Sequence, residues 1–208
     1  MYYEPGVTPH GLPYDPFKSC VIPRPIGWIS TIDREGRHNL APYSQFQNVT
    51  FNPPIVMFSA NQTTTGSRKD SVRNAEDTGE FVWNLVTQSQ VEAMNQTCKA
   101  VAPEVNEFDI AGLTTAPSRL IKVPRVAQSP VSFECRCTQI LQMKNLQGES
   151  IETWMVFGEV IGIHIEERLI SDGIYDTANA QHVVRGGGPA DYFRIGPEQL
   201  FKIYRPRD

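Results

Sequence analysis

Apolar residues occur along this chain in short runs separated by polar turns, a pattern typical of β-strands. The first run, residues 26–32, stops at the turn-forming sequence DREG at 33–36. The second run, 39–50, alternates large and polar side chains. The third run, 54–60, is short and continuously rich in β-forming residues, as expected of a strand buried on both faces. These runs predict three successive strands.

Two helices are predicted in the middle of the chain. The first begins at the sequence KDS at 69–71 and ends near Gly79, a residue suited to helix termination. A strand over 81–86 follows. Ser89 with Glu92 three residues later forms a capping box, which predicts a second helix to about residue 100.

The second half of the chain contains an irregular stretch at 104–124 and then two long strands, 131–143 and 153–165, joined by a turn at 145–148. Strands broken by short helices, without repeated βαβ units, favour an antiparallel barrel over a doubly wound sheet. We therefore expect a mainly β, α+β fold and a single domain over 1–208.

The N-terminal residues 1–20 combine proline and glycine with interleaved aromatic residues. Because aromatic residues are scarce in disordered segments, we expect an extended arm packed on the barrel or on a neighbouring subunit. An alternative is that Tyr14 and Phe17 simply fill the core.

The composition of the chain argues against nucleic-acid binding and against a membrane-spanning segment. The formal net charge of −4 argues against a general nucleic-acid binder, which would present a basic face. No apolar run approaches the length of a membrane span, and the first residues lack a signal-peptide pattern. We expect a cytoplasmic protein with no nucleic-acid or membrane partner.

The four cysteines do not suggest a disulfide framework or a metal site. Cys98 shares a helical stripe with Val91, Met94 and Val101, which predicts a buried, inert thiol. Cys135 and Cys137 lie two apart on a predicted strand, and no further ligands accompany them at metal-binding spacing. His164, on a predicted strand, is expected to be a hydrogen-bonded structural residue.

The polar stretch 61–71 is the main candidate for chemistry. Backbone N–H groups at a helix N-terminus, hydroxyl groups and Lys69 together suit an oxyanion, above all a phosphate. The alternative is a capped helix with a solvated basic pair, Arg68 and Lys69. The glycines at 186–188 lack the spacing of a dinucleotide-binding fingerprint and indicate a tight turn that lets the backbone approach a ligand or a second subunit.

Taken in order, these segments resemble the flavin reductase-like family of FMN-binding split-barrel proteins. The matching segments are ISTID at 29–33 with Gly36, NLAPYSQF at 39–46, PP at 53–54 leading to Phe58-Ser59, KDS at 69–71 with Asn74, GEFV at 79–82 with Asn84, NEF at 106–108, GLT at 112–114, PS at 117–118, and RGG at 185–187 before Tyr192. The resemblance covers nearly the whole chain. It implies an antiparallel FMN-binding split β-barrel.

The resemblance also implies a set of cofactor-binding residues. The main chain of Tyr43, Ser44, Gln45 and Phe46 would face the polar edge of the flavin ring, with Phe46 or Trp28 as apolar cover. Ser59, Ala60, Asn61, Lys69, Asp70 and Ser71 would lie near the phosphate, although the threonines at 63–65 blur which hydroxyl touches it. Arg185 and Tyr192 would lie close to the flavin.

For activity, the resemblance implies an NADH- or NADPH-dependent FMN reductase, in which hydride passes from the nicotinamide to flavin N5. Because the cofactors carry this chemistry, we name no catalytic residue. Such an enzyme would be a homodimer and could supply reduced flavin to a monooxygenase. Two alternatives stay open: a flavoredoxin-like carrier with tightly held FMN and a protein electron-transfer partner, or a flavin-binding module without turnover.

Overall fold

The structure is a computed structural model that describes residues 1–61, 66 and 68–206. It contains fourteen strands: β1 Arg24–Pro25, β2 Gly27–Ile32, β3 His38–Tyr43, β4 Phe46–Phe51, β5 Pro54–Asn61, β6 Glu80–Asn84, β7 Thr115–Ala116, β8 Arg125–Val126, β9 Val131–Lys144, β10 Ser150–Ile165, β11 Ile170–Ser171, β12 Ile174–Tyr175, β13 Val183–Arg185 and β14 Tyr192–Arg194. The α-helices are α1 Phe17–Cys20, α2 Asp70–Thr78, α3 Val91–Gln96 and α4 Glu107–Ile110, and single 3₁₀ turns lie at Gln88–Gln90, Glu167–Leu169 and Pro197–Gln199.

Seven of these strands form one antiparallel sheet in the order β3-β2-β6-β9-β10-β5-β4. The edge strand β3 also packs close to β5, so the sheet curls and its two ends approach each other. The small sheet β1-β13-β14 lies beside it. The prediction of a mainly β fold with short helices is confirmed.

The long hairpin β9-β10 runs through the middle of the sheet and confirms the two long strands predicted there. Its turn is where the sequence predicted it, since the Gly148 N–H donates to the carbonyl of Asn145 at 3.0 Å. The hairpin carries register shifts, one of them between Phe157 and Gly158. Gly158 lies against Phe81, and a Cβ at residue 158 would lie 2.4 Å from that ring.

The single strand predicted over 39–50 is wrong, because the chain forms two strands there. β3 pairs with β2 and β4 pairs with β5, so they lie at opposite edges of the sheet, with a corner at Ser44 and Gln45. The corner is fixed by packing: the Phe46 ring lies against Gly27, where a Cβ would come within 2.8 Å of it. The same ring stacks on Trp83 at 5.4 Å between centroids.

The expectation that residues 54–60 are buried on both faces is also wrong. In β5 only Val56, Phe58 and Ala60 are buried, while the residues between them are partly exposed. Only one face of the sheet packs on the main core at this strand. That core includes Ile29, Phe46, Phe58, Phe81, Trp83, Val131, Cys135, Val156 and Leu169.

The first predicted helix is confirmed as α2, which ends at Gly79 in the left-handed conformation with φ of 73°. The predicted capping box is wrong: it is formed by Thr87 and Gln90, because the turn before α3 starts two residues earlier than Ser89. α3 then ends at Gln96, well short of residue 100.

The early end of α3 changes the environment of Cys98. The predicted helical stripe is interrupted before it reaches Cys98, so the prediction of a buried thiol at this position is wrong, and the residue is exposed. Cys135 is buried in the core and Cys137 is partly buried. Within residues 1–61, 66 and 68–206, no cluster of three or more His, Cys, Asp or Glu side chains is placed to hold a metal ion.

The N-terminal arm is tied to the body of the protein at its end. Arg24 donates to the carbonyls of Lys18, Val21 and Gly186. Gly187 lies directly against Ser19, whose hydroxyl donates to the Gly187 carbonyl at 3.0 Å, so the glycine turn contacts the arm of its own chain. An approach of this turn to a ligand or to a second subunit stays a prediction.

The arm is not wholly extended, since it contains the single helical turn α1. Tyr14 is 70% exposed and Phe17 66% exposed, so neither fills the core of its own chain. In the part of the chain that the structure describes, no helix has the length and apolar character needed to cross a membrane.

Candidate functional site

The N-terminus of α2 opens onto a surface groove. Lys69 is its N-cap residue and no described side chain caps the helix. The N–H groups of Val72 and Arg73 both donate to the Lys69 carbonyl, at 3.0 and 3.2 Å, whereas those of Asp70 and Ser71 bond to no described residue. Two main-chain donors and the positive end of the helix dipole are therefore directed at the groove beside the Lys69 side chain.

A buried polar network fixes this helix start to the sheet. Ser71 is only 1% exposed, and its hydroxyl accepts a hydrogen bond from Asn39 Nδ2 at 2.9 Å. Asn39 also donates to Thr31 Oγ1, which accepts from Asn74 as well, both at 3.1 Å. The Ser71 hydroxyl therefore positions the first turn of α2 against β2 and β3.

The carboxylate of Asp70 is also engaged at this helix start, since it forms an ion pair with Arg73 three residues later. That pairing reduces the negative charge that Asp70 presents to the groove. Lys69, the residue directly before the first turn of α2, has no ion-pair partner among the described residues.

The outer edge of β3 forms the adjoining wall of the groove. The Leu40 N–H points away from β2 and donates to Glu107 Oε2 at 3.1 Å. Because strand residues two apart share an orientation, the carbonyl of Pro42 faces the same outer edge, and Ser44 follows directly after the end of β3. Glu107 is buried, and that burial raises its pKa above the ordinary value, opposed by its hydrogen bond from Leu40.

The groove consists of two adjoining hollows of about 170 and 190 Å³, which share Pro42, Tyr43 and Cys98. The first is lined by Asn39, Ala41, Lys69, Asp70, Thr97, Lys99, Ala100, Val101 and Glu107 in addition to the shared residues. The second adds Ile26, Ser44, Met94, Arg185 and Tyr192.

Tyr43 forms the common floor of the two hollows. Its ring packs on Phe58 with centroids 5.1 Å apart. Burial raises the pKa of the Tyr43 phenol far above its usual value, partly offset by a hydrogen bond with Ser71. Tyr43 is therefore a neutral, fixed aromatic surface at every pH the protein meets.

The β13-β14 hairpin forms the far wall. The Arg185 guanidinium lies 4.8 Å from the centroid of the Tyr192 ring and donates to the carbonyls of Pro189 and Asp191. Burial raises the pKa of the Cys98 thiol, which the positive charge of Arg185 opposes. The cavity thus places one guanidinium, one aromatic ring and one neutral thiol beside the end of β3.

The structure brings several of the predicted residues together and separates others. Tyr43, Ser44, Lys69 and Asp70 line the groove, with Ser71 directly beneath it. The Gln45 main chain is at the corner, where its carbonyl accepts from the Ser59 N–H at 2.8 Å.

The residues at the end of β5 are held by the sheet. Ala60 is buried opposite Trp154, and Asn61 Oδ1 accepts from Thr153 at 3.0 Å. A cofactor-binding role for Ser59, Ala60 and Asn61 stays a prediction. The threonines at 63–65, proposed as further phosphate ligands, lie outside the described residues.

The predicted apolar cover by Phe46 or Trp28 side chains does not match the structure. The Phe46 ring belongs to the main core, and Trp28 is fully buried with its Nε1 donating to Thr97 Oγ1 at 3.0 Å. The apolar cover was implied by the resemblance, whereas the Phe46 ring follows the corner at Ser44 and Gln45 and packs against Gly27 and Trp83.

The groove residues that the sequence did not predict include Asn39, Cys98 and Glu107. Asn39 and Glu107 are both within matched motifs, NLAPYSQF and NEF, so their position in those motifs was the available signal. For Cys98 the helical pattern pointed inward, and only the observed helix end reveals its place.

Outside the groove, the expectation that His164 is a hydrogen-bonded structural residue is confirmed. Its Nε2 lies 2.5 Å from Oε1 of the buried Glu134 on the neighbouring strand β9.

The amino-acid sequence of this chain is similar to those of known proteins. The sequence model of the family described as "Flavin reductase like domain" matches residues 19–183. An uncharacterized protein of Aquifex aeolicus is 38% identical over 154 residues, which is 74% of this chain and 75% of that protein. An uncharacterized protein of Halalkalibacterium halodurans is 33% identical, covering 90% of this chain and 88% of the relative.

Solved structures agree in fold. The nitrilotriacetate monooxygenase component B of Bacillus cereus superposes with a TM-score of 0.88 at 29% identity, covering 98% of both chains. The 2-nitrobenzoate 2-nitroreductase of Pseudomonas fluorescens gives a TM-score of 0.77 at 28% identity, covering 91% of this chain and 88% of that one. A flavin reductase with a split barrel domain from Shewanella frigidimarina gives 0.71 at 22% identity, covering 89% and 86%, a likeness of fold that confirms the predicted split barrel.

Proposed function

Since the chain belongs to the flavin reductase-like family, with the flavin oxidoreductase role that membership implies, we propose that it is an NAD(P)H-dependent FMN reductase. The observation that carries the proposal is the meeting, in one groove, of the N-terminus of α2, which no described side chain caps, with the outer edge of β3, which pairs with no described strand. This pair of features suits a molecule with a phosphate at one end and a polar ring edge at the other.

The hydrogen-bonding groups and the cation of the groove match the polar groups of FMN. A phosphate monoester carries about −1.5 to −2 charges at neutral pH and needs several donors with a nearby cation. The N–H groups of Asp70 and Ser71, with the Lys69 ammonium group, provide these at one end. At the other end, the Pro42 carbonyl and the Ser44 main chain would face the hydrogen-bonding edge of the isoalloxazine.

Bound FMN supplies the hydride-accepting N5, so the residues of the chain need only bind and orient. Tyr43, packed on Phe58 with the two rings tilted by 32°, would give the flavin ring an apolar floor. Glu107 fixes the β3 edge through Leu40, and the Ser71 network fixes the helix start. The hairpin bearing Arg185 and Tyr192 screens the second hollow, where a nicotinamide ring would approach.

We also propose that the reduced flavin leaves for a monooxygenase. The support is the similarity to a monooxygenase component B over almost the full length of both chains. A homodimer completes the proposal, because the arm and the C-terminal segment present large apolar side chains to solvent in the single chain: Tyr2, Val7, Tyr14, Phe17, Leu200, Phe201, Ile203 and Tyr204. Light scattering on a sizing column would report twice the chain mass; a monomer at micromolar concentration would contradict the dimer.

The reaction is tested by the absorption spectrum of the purified protein with FMN, before and after anaerobic addition of NADH or NADPH. We expect a flavin band that bleaches with one of the two nucleotides, faster than FMN alone. A bound flavin that neither nucleotide reduces would instead indicate an electron carrier. A protein that does not bind FMN would contradict the proposal altogether.

A further inference from the structure

A second cavity lies away from the groove and shares no lining residue with it. It has a volume of about 530 Å³, larger than either hollow of the groove, and lies between the segment before β9 and the end of β10. Small-molecule sites in proteins commonly have volumes of about 300–1,000 Å³, so this cavity can hold a compact organic ligand.

The floor of this cavity is a fully satisfied carboxylate. Glu134 is 0% exposed and accepts from His164 Nε2 at 2.5 Å and from the main-chain N–H groups of Arg119 and Leu120 at 2.8 and 2.7 Å. These hydrogen bonds hold its pKa below the ordinary value although burial alone would raise it. Glu134 is therefore an ionised carboxylate whose oxygens are hydrogen-bonded to the floor of the cavity.

Two guanidinium groups line the same cavity without a counter-ion. Arg119 and Arg125 form no ion pair with any described residue. Burial lowers the pKa of Arg125, the charge of Arg119 lowers it further, and Glu134 opposes both. The remaining acid of the lining, Glu166, is paired with Arg168 at 2.5 Å. With Arg168 counted as the partner of Glu166, the guanidinium groups of Arg119, Arg125 and Arg168 outnumber the carboxylates of Glu134 and Glu166 by one positive charge, which an anion would neutralise.

One side of the cavity is apolar. Leu120 is 52% exposed and Ile163 56% exposed, and both line it. Gly162, paired with Glu134 in the sheet, has no side chain to fill the space above the carboxylate. A ligand that carried an apolar body beside its charged group would cover these side chains and remove them from water.

We propose that this cavity is a binding site for a small organic anion. Its oxyanion group, a carboxylate or a phosphate, is held between Arg119 and Arg125, and its apolar body lies on Leu120 and Ile163. The Glu134–His164 pair holds the two strands and the loop that carry these residues in place. Guanidinium groups suit both oxyanions because their paired N–H donors match two oxygens at once.

The test is isothermal titration calorimetry on the full-length, FMN-loaded chain, with phenylacetate and phenyl phosphate as probes and acetate as the probe without an apolar body. We expect one saturable site for at least one aromatic probe, with weaker binding of acetate. The relative affinity of the two aromatic probes identifies the preferred oxyanion.

The variants Arg119→Gln and Arg125→Gln should each weaken binding about tenfold or more, the loss of one charge-assisted hydrogen bond. Lys122→Gln is the matched control, because Lys122 lies in the same segment with the same charge but outside the cavity. Arg119 is exposed, so its replacement leaves folding intact even if that of Arg125 does not. The proposal is overturned if neither aromatic probe binds at about 10 mM, or if Arg119→Gln binds as well as Lys122→Gln.

Discussion

Replacing Ser71 by alanine should show whether the Ser71 hydroxyl positions helix α2 or contacts the cofactor. The resemblance found in the sequence implied that Ser71 lies near a phosphate. In the structure the hydroxyl is buried and accepts from Asn39 Nδ2 at 2.9 Å, and it also bonds with Tyr43. We therefore expect Ser71→Ala to destabilise the flavin-free protein.

The magnitude follows from the donors left behind. Asn39 keeps one partner, Thr31 Oγ1, so one of its two amide hydrogens loses its acceptor in a residue that is only 7% exposed. A buried unsatisfied donor costs about 1–3 kcal/mol. For a chain of this size each kcal/mol lowers the midpoint of thermal unfolding by about 2–4 °C.

The assay is urea unfolding of the flavin-free protein, followed by tryptophan fluorescence. Ser150→Ala is the control, because Ser150 is exposed at the start of β10 and surface changes of this kind usually stay within about 0.5 kcal/mol. If Ser71→Ala unfolds with the same free energy as Ser150→Ala, the network does not fix the helix and the reasoning is refuted.

Three further predictions test other parts of the structure. Lys69→Gln should weaken FMN binding about tenfold or more in a flavin fluorescence titration, with the flavin-free stability unchanged; equal affinity would remove Lys69 from the site. The folded pKa of Glu134 is lowered, so this residue should stabilise the protein above its unfolded pKa of about 4.3, and the stabilisation should be lost as the pH falls through the folded pKa. In urea titrations between pH 3 and 7, Glu134→Gln should therefore show a smaller loss of unfolding free energy on the acid side than the parent. An unchanged dependence of the unfolding free energy on pH would contradict this prediction. Gly158→Ala should cost about 1–3 kcal/mol of unfolding free energy because its methyl group meets Phe81, whereas Gly162→Ala, with ordinary contacts, should cost much less; equal costs would count against the packing described.

The elements that could be predicted from the sequence are those determined by residues close together in the chain. The first strand, the hairpin β9-β10 and the end of α2 at Gly79 follow from periodicity and turn residues that act within a few positions. The helix start at Asp70 was visible for the same reason. The motif order then supplied the family, and with it the split barrel.

The unpredicted part depends on partners distant in sequence. No nearby sequence feature predicts the corner at Ser44 and Gln45, because β3 and β4 are distinguished by the strands with which they pair, and those strands are distant in sequence. The corner in turn placed Phe46 in the core, against Gly27 and Trp83. The groove needed the same long-range information, since Cys98 reaches it only because α3 ends at Gln96.

The most direct test of the proposed site is a crystal structure of the protein soaked with FMN. We predict the phosphate within hydrogen-bond distance of the Asp70 and Ser71 N–H groups and of Lys69, and the polar edge of the ring on the main chain of Pro42 and Ser44. An FMN molecule bound elsewhere, with the groove beside Tyr43 left empty, would contradict the account.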